Sequence, residues 1–459
     1  MAFPLTGAPN TGDTAWMLAS SALVLLMTPG LAFFYGGMVR SKNVLNMLMM
    51  SISAMGLVGV LWSLYGYSTA FGNNKFGVIG DPAQFFGLRG LIGGNSVAEV
   101  KDASGAVTTA AVNIPLAGTI PATVFVAFQL MFAIITVALI SGAVADRLKF
   151  GSWLLFAGIW ATVVYFPVAH WVFDFDVKDA DGNVVHEGGW IANKLLAVDF
   201  AGGTAVHINA GAAGLALVLV LGKRKGWPKT PFRPHNLPFV MLGAGLLWFG
   251  WFGFNAGSAV SSGGLAGSTF ITTTLATSAA MLAWLLVEKV RDGKPTSLGA
   301  ASGVVAGLVA ITPSCSSVNV VGALVIGFVA GAVCALAVGL KFKFGFDDSL
   351  DVVGVHLVGG IIGTLMVGLV AAPEAGAGKT GLLYGGGFDQ LWRQVVGAGA
   401  VLTFSFIASL IIAYIVKFTI GLRASEEAES VGMDESEHAE TAYDFAAVGG
   451  TARTAVKEA

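Results

Sequence analysis

Residues 199–225 read DFAGGTAVHINAGAAGLALVLVLGKRK. From Gly203 to Gly222 the run contains no Asp, Glu, Lys or Arg. As a helix it rises about 30 Å, the thickness of a bilayer's hydrocarbon core. The stretch therefore predicts a membrane-spanning helix bounded by Asp199 at one end and by Lys223, Arg224 and Lys225 at the other. His207 lies inside it, and an ionisable side chain within a membrane helix is a functional candidate by default.

Ten further runs follow the same rule, at 17–37, 44–68, 121–144, 152–173, 238–258, 268–287, 297–313, 318–340, 352–371 and 394–416. The whole chain is 55% hydrophobic and only 11% charged, whereas soluble proteins carry about a quarter charged residues. The fold class expected is an all-α integral membrane protein with eleven transmembrane helices. The 63 glycines are read as packing residues, because small side chains let helices approach closely in lipid. No nucleotide-binding loop is read in them. Cys315 and Cys334 stand in different segments and no disulfide is expected. MAFPLTGAPNTGDTAW has no basic residue ahead of the first apolar run, unlike a cleaved signal, so the first segment is expected to persist.

Basic residues concentrate in alternate loops, at Arg40 and Lys42, Arg147 and Lys149, Lys223 to Arg233, Lys289 to Lys294, and Lys341 and Lys343. By the positive-inside rule those loops are cytoplasmic, which puts the N-terminus outside and the C-terminus inside. Eleven segments divide into five, five and one, and an odd block forces an inverted repeat. Asp199 precedes His207 by eight residues, and Asp348 precedes His356 by the same interval in DSLDVVGVH. Eight helical residues rise about 12 Å, so two helices entering from opposite faces bring their histidines near the midplane. The alternative for each is a neutral core histidine bonded to a carbonyl, the reading adopted for His170. Phe128, Gln129 and Phe132 form one aromatic concentration and Trp251, Phe252 and Phe254 another. They serve as core, or as a cation site and a constriction. Asp199 opens a helix, which makes it an N-cap whatever else its charge does. No HExxH, paired-cysteine or Walker pattern is present, and an enzyme is not expected.

The segments DFAGGTAVHINA, PHNLPFVMLGAGLLWFGWFGFNAGSA, DDSLDVVGVHLVGG and FYGGMVRSKN resemble the ammonium transporter (Amt) branch of the Amt/Rh family across nearly the whole chain. The resemblance implies an eleven-helix inverted repeat, assembly as a homotrimer with one pore per subunit, and residence in the cell (plasma or inner) membrane. It makes His207 and His356 the twin pore histidines and Phe132 and Phe254 the stacked phenylalanine gate. Phe128, Trp251, Ser258 and Asp199 become parts of the outer ammonium-recruitment region. Phe173 departs from the pattern, for the family usually has Trp three residues after the histidine of its PxAH motif, and Phe is the weaker partner for a cation. The expected activity is transport of ammonium or ammonia, with methylammonium as a further candidate. Ammonium is captured outside, loses its proton, and passes the histidines as ammonia.

Residues 1–423 are read as the membrane domain and 424–459 as an acidic cytoplasmic tail, solvated by composition. The tail also resembles the family's regulatory tail, with Gly432, Asp434 and Tyr443 in matching places and Ala439 where a glycine is common. This implies a PII signalling protein as a partner. No cofactor, metal or nucleic-acid partner is expected. The rival reading is an ammonium sensor, disfavoured because residues 424–459 leave no room for a kinase or cyclase; an Rh-type gas channel is disfavoured by Trp251 and Ser258.

Overall fold

The computed structural model describes residues 4–94, 99–109, 113–179 and 181–443. Among them, ten helices are long and apolar enough to cross a membrane. They are α1 (Thr11–Met38), α2 (Val44–Phe71), α3 (Ala122–Val144), α4 (Phe150–Phe173), α5 (Gly203–Leu221), α6 (Leu237–Gly257), α7 (Gly264–Asp292), α9 (Val320–Phe344), α10 (Val353–Val370) and α11 (Asp389–Thr419). A shorter apolar helix, α8 (Ser297–Ile311), occupies the place of the eighth predicted segment. The chain is a multi-pass helical membrane protein.

Some boundaries differ from the sequence reading, for physical reasons. Helix α7 runs on through Glu288, Lys289 and Arg291, and α11 begins at Asp389. Charge ends an apolar run without ending a helix, since Glu, Lys and Arg are good helix formers once outside hydrocarbon and Asp is favoured in a first turn. Helix α8 stops at Ile311, two residues before Pro313, which lacks the N–H that another turn would need. The connections also hold short strands that an all-α reading omits. Leu5–Gly7 pairs with Ile114–Ala117, and that strand with Ile120–Pro121, in one antiparallel sheet. Such strands of two to four residues carry no periodicity to read.

Glycine brings the helices together. A Cβ on Gly243 of α6 would fall on the backbone of Phe34 of α1, and one on Gly327 of α9 would enter the carbonyl of Ala276 of α7. These are backbone-to-backbone approaches that only glycine permits. Both cysteines are buried and free.

At the basic end of the bundle a buried ion network ties the loops. The fully buried guanidinium of Arg147 donates to the carbonyls of Gly222 and Asp347 and to Ser349 Oγ, at 2.9, 2.6 and 2.6 Å. Burial pushes its pKa down to about 10, against the pull of Asp347. Arg224 pairs with Asp347 at 2.8 Å and with Asp146 at 3.3 Å. The two carboxylates outweigh burial and hold Arg224 above its ordinary pKa.

Candidate functional site: an aromatic and histidine column

Phe128 and Phe132 are four residues apart on α3 and share a face; Trp251 and Phe254 do so at an interval of three on α6. The two faces meet. The rings of Phe132 and Phe254 lie 4.3 Å apart, and Phe128 adjoins Phe132 at 4.9 Å. Phe173, the last residue of α4, reaches Phe132 at 6.3 Å. Further into the bundle Trp251 lies 5.0 Å from Phe254 and stacks on His207, with centroids 5.4 Å apart and planes at 15°. His207 stacks in turn on His356 at 5.3 Å and 22°. Phe252 points elsewhere, stacking on Phe270 at 3.8 Å.

The two histidines meet because their helices break the α pattern at the same place. His207 lies in a π-helical turn, Gly203–Ile208, where its N–H donates to the carbonyl of Gly202 at 3.0 Å. His356 lies in another, Val353–Leu357. Wide turns of this kind re-aim side chains and are frequent at functional sites. An aspartate caps each turn. The carboxylate of Asp199 accepts the N–H groups of Gly202, Gly203, Thr204 and Ala205, at 2.9, 2.6, 2.7 and 3.1 Å, and the Thr204 hydroxyl. Asp348 accepts from Val352 and Val353 at 3.1 and 2.7 Å. Burial, and then the neighbouring Asp351, push the carboxyl of Asp348 up from its ordinary range.

The Nδ1 atoms of His207 and His356 are 3.2 Å apart. Only one proton fits between two such nitrogens, so neutral rings must take opposite tautomers, leaving one Nε2 as donor and the other as acceptor. Both side chains are buried, and His207 Nε2 has no hydrogen-bond partner among the described residues. The cavity beside them is lined by Leu31, Ile135, Leu139, Leu247 and Val305 and holds about 10 Å³, on the order of one water-sized sphere. The arrangement offers a small neutral molecule one donor, one acceptor and apolar walls. Among the described residues no group of three or more His, Cys, Asp or Glu is placed to hold a metal.

Ser258 closes α6, its hydroxyl donating to the Phe254 carbonyl at 2.7 Å. A Cβ on the preceding Gly257 would come within 3.0 Å of the Phe128 ring, so the end of α6 lies against Phe128. Sequence reasoning missed Thr312, which accepts the Trp251 indole N–H at 2.9 Å and donates to Leu308 O at 2.7 Å. A lone Thr next to Pro313 carries no pattern to mark it. Thr312→Val strands that buried N–H and is expected to cost about 1–3 kcal/mol. A fall in unfolding temperature that Thr312→Ser does not share checks this.

The tail docks at the basic end through α12 (Glu426–Val431) and α13 (Met433–His438). Asp434 accepts the N–H groups of Leu45 and Asn46 at 3.1 and 2.8 Å, capping α2, and burial raises its carboxyl. Gly432 has φ +128°, where a Cβ would meet Lys42. Tyr443 Oη lies 2.9 Å from His235 Nε2, and Arg423 holds Glu429 at 3.0 Å. The tail thus grips residues 42–46 and 235. The remainder of the predicted tail, 444–459, lies outside the described residues. Ala439 has φ +54°, a left-handed conformation that costs a non-glycine residue about 1 kcal/mol. Ala439→Gly is expected to slow opening of the docked tail roughly fivefold, read by hydrogen exchange at residues 433–439.

A family model described as Ammonium Transporter Family matches residues 15–443. An ammonium transporter of Mycobacterium bovis is 72% identical over 456 residues, covering 98% of this chain and 94% of its own. Among solved structures, Saccharomyces cerevisiae Mep2 superposes with a TM-score of 0.78 at 33% identity, covering 91% of this chain and 88% of its own. A protein described as Sensor Amt Protein does so at 0.79 and 26%, covering 93% and 98%. Family match, identity and fold agree over the segments that build the column: the chain belongs to the ammonium transporter family, a family of transporters rather than enzymes.

Proposed function

We propose that this protein carries ammonium across the plasma (inner) membrane as ammonia, through the column of Phe132, Phe254, His207 and His356. The observation that carries this reading is the buried histidine pair, joined Nδ1 to Nδ1 at 3.2 Å, among apolar side chains. A charged group at the centre of a membrane helix costs about 2.5–3.5 kcal/mol on insertion scales, and more in simulations. Neutral ammonia avoids that cost, and it offers both a lone pair and N–H donors to the two Nε2 atoms.

Ammonium is captured at the outer mouth by the ring faces of Phe128 and Phe173 and by Ser258, whereas Trp251, which the resemblance assigned to that mouth, stacks on His207 beyond the phenylalanine pair and lines the inner cavity. Asp199 contributes its negative charge from beneath its cap of backbone amides rather than by contact. The ion gives up its proton to water at the outer mouth, and ammonia passes the two phenylalanines to the histidines. Potassium has no proton to lose and is refused. In this reading α8 counts as an eleventh span, α1–α5 and α6–α10 are inverted repeats, and the basic end is cytoplasmic. Three copies form the working unit. The tail, through Gly432, Asp434 and Tyr443, is a regulatory element on which a PII signalling protein acts. Methylammonium, one methyl larger, is a second substrate.

The test is ammonium-dependent uptake and current in proteoliposomes against empty liposomes. Uptake above the control supports the transport reading, and the current counts the protons that follow the ammonia. Ammonium binding without flux supports the rival, a sensor, the role that one structural neighbour's name gives to that protein.

A further inference from the structure

Asp174 directly follows Phe173 and is only 4% exposed. A buried carboxylate needs partners; His186 supplies a hydrogen bond to one oxygen and His170 lies beside the other. His186, at the end of the strand Val184–His186, places Nε2 2.8 Å from Asp174 Oδ1 and Nδ1 2.8 Å from Asn73 Oδ1. His170, one turn back on α4, places Nδ1 3.1 Å from the Ala70 carbonyl, its hydrogen-bond partner, and also 3.1 Å from Asp174 Oδ2, an ion-pair contact without hydrogen-bond geometry, while Nε2 lies 3.2 Å from Asn74 Oδ1. The main-chain carbonyl of Asp174 accepts from Gly189 N–H at 2.9 Å and from the Asn193 amide at 2.9 Å. Residues 73–74, 186 and 189–193 therefore converge on the last turn of α4.

Phe173 itself is buried but is not enclosed on every side. It borders a cavity of about 200 Å³ lined also by Tyr67, Phe71 and Phe125, and by Asp174 and His186 themselves. With open space on that side, the ring's place over Phe132 depends on the backbone that carries it. We propose that His170, Asp174 and His186 form a positioning network that sets Phe173 at the mouth of the column and so sets the apparent affinity for ammonium. The proposal rests on the reading of Phe173 as part of the capture site. None of the three appears among the lining of the histidine cavity, so their loss acts on capture and spares passage.

Ammonium flux in proteoliposomes, followed against concentration, tests this. Asp174→Asn and His186→Ala are expected to raise KM about threefold or more while maximal flux stays within about twofold. His186→Gln, whose amide reaches Asp174, restores KM to within about twofold of the parent. Phe173→Ala raises KM likewise, and adding His186→Ala to it raises KM no further, because both act through one ring. Should His186→Ala not fold, Asp174→Asn and His186→Gln carry the comparison, the first raising KM and the second not. The network is overturned if Phe173→Ala raises KM while Asp174→Asn leaves it unchanged, or if the double variant's shift is the product of the single ones. An unchanged KM in Phe173→Ala overturns the capture role of Phe173, and the network's purpose with it.

Discussion

Ammonium-selective flux, taken as the ammonium-driven minus the potassium-driven rate, is expected to fall at least about tenfold in His207→Ala, equivalent to about 1.4 kcal/mol. His207 stands between Trp251 and His356 in the stack, and its Nδ1 is the hydrogen-bond partner of His356 Nδ1. Removing the ring leaves His356 Nδ1 unpaired, opens a void the size of an imidazole, and takes away one of the two polar atoms a neutral substrate would meet. Loss of uptake and gain of a potassium leak both lower the selective rate, and both place His207 on the path. Parent-like selective flux in a folded His207→Ala protein would take the histidine pair out of the conduction route. Because the pair is a unit, His356→Ala is expected to have a similar effect, and the double variant little more.

The largest stability effect is expected at Asp199. Its carboxylate receives four backbone N–H groups and a hydroxyl at the start of the helix that holds His207. Each donor left unpaired in a buried place costs about 1–3 kcal/mol, and relaxation recovers part of it. Asp199→Ala is therefore expected to destabilise the protein by about 3 kcal/mol or more. Asp199→Asn, which keeps an oxygen for some of the donors, is expected to be intermediate. Asp348 caps the matching turn with only two backbone N–H bonds, so Asp348→Ala should cost less than Asp199→Ala. Thermal unfolding in detergent ranks the three. Equal losses at both aspartates would mean that backbone capping does not set the energetics of these turns.

Much of the membrane architecture was legible because lipid imposes a simple rule: a helix crosses where charge is absent for long enough. Ten of the eleven uncharged runs correspond to helices that meet that length, and the remaining one is the shorter α8. What the rule cannot see is a helix that outlasts its apolar stretch, as α7 does through Glu288 and Arg291. Nor does it see a strand pair such as Leu5–Gly7 with Ile114–Ala117, whose partners lie more than a hundred residues apart.

At the site, residue types and intervals in the sequence were enough to single out His207 and His356, because an ionisable group in an apolar run is unusual; Phe132 and Phe254 stood within two aromatic concentrations that read equally as core, and only the family resemblance set them apart. The same intervals, on ideal helices, could say only that the histidines lie at similar depth. Sequence by itself determined a membrane-spanning helical chain with three histidines inside its apolar runs, two of them at matching repeat positions, and a hydrophilic, acidic tail. Only the tertiary structure decided that π turns aim the two rings at each other, that Asp199 turns its oxygens to backbone amides, and that Thr312 and Asp174 hold Trp251 and the end of α4. The physical reason is that burial and helix formation follow from local composition, whereas hydrogen-bond direction depends on which distant backbone arrives within about 3 Å, and that is settled by packing.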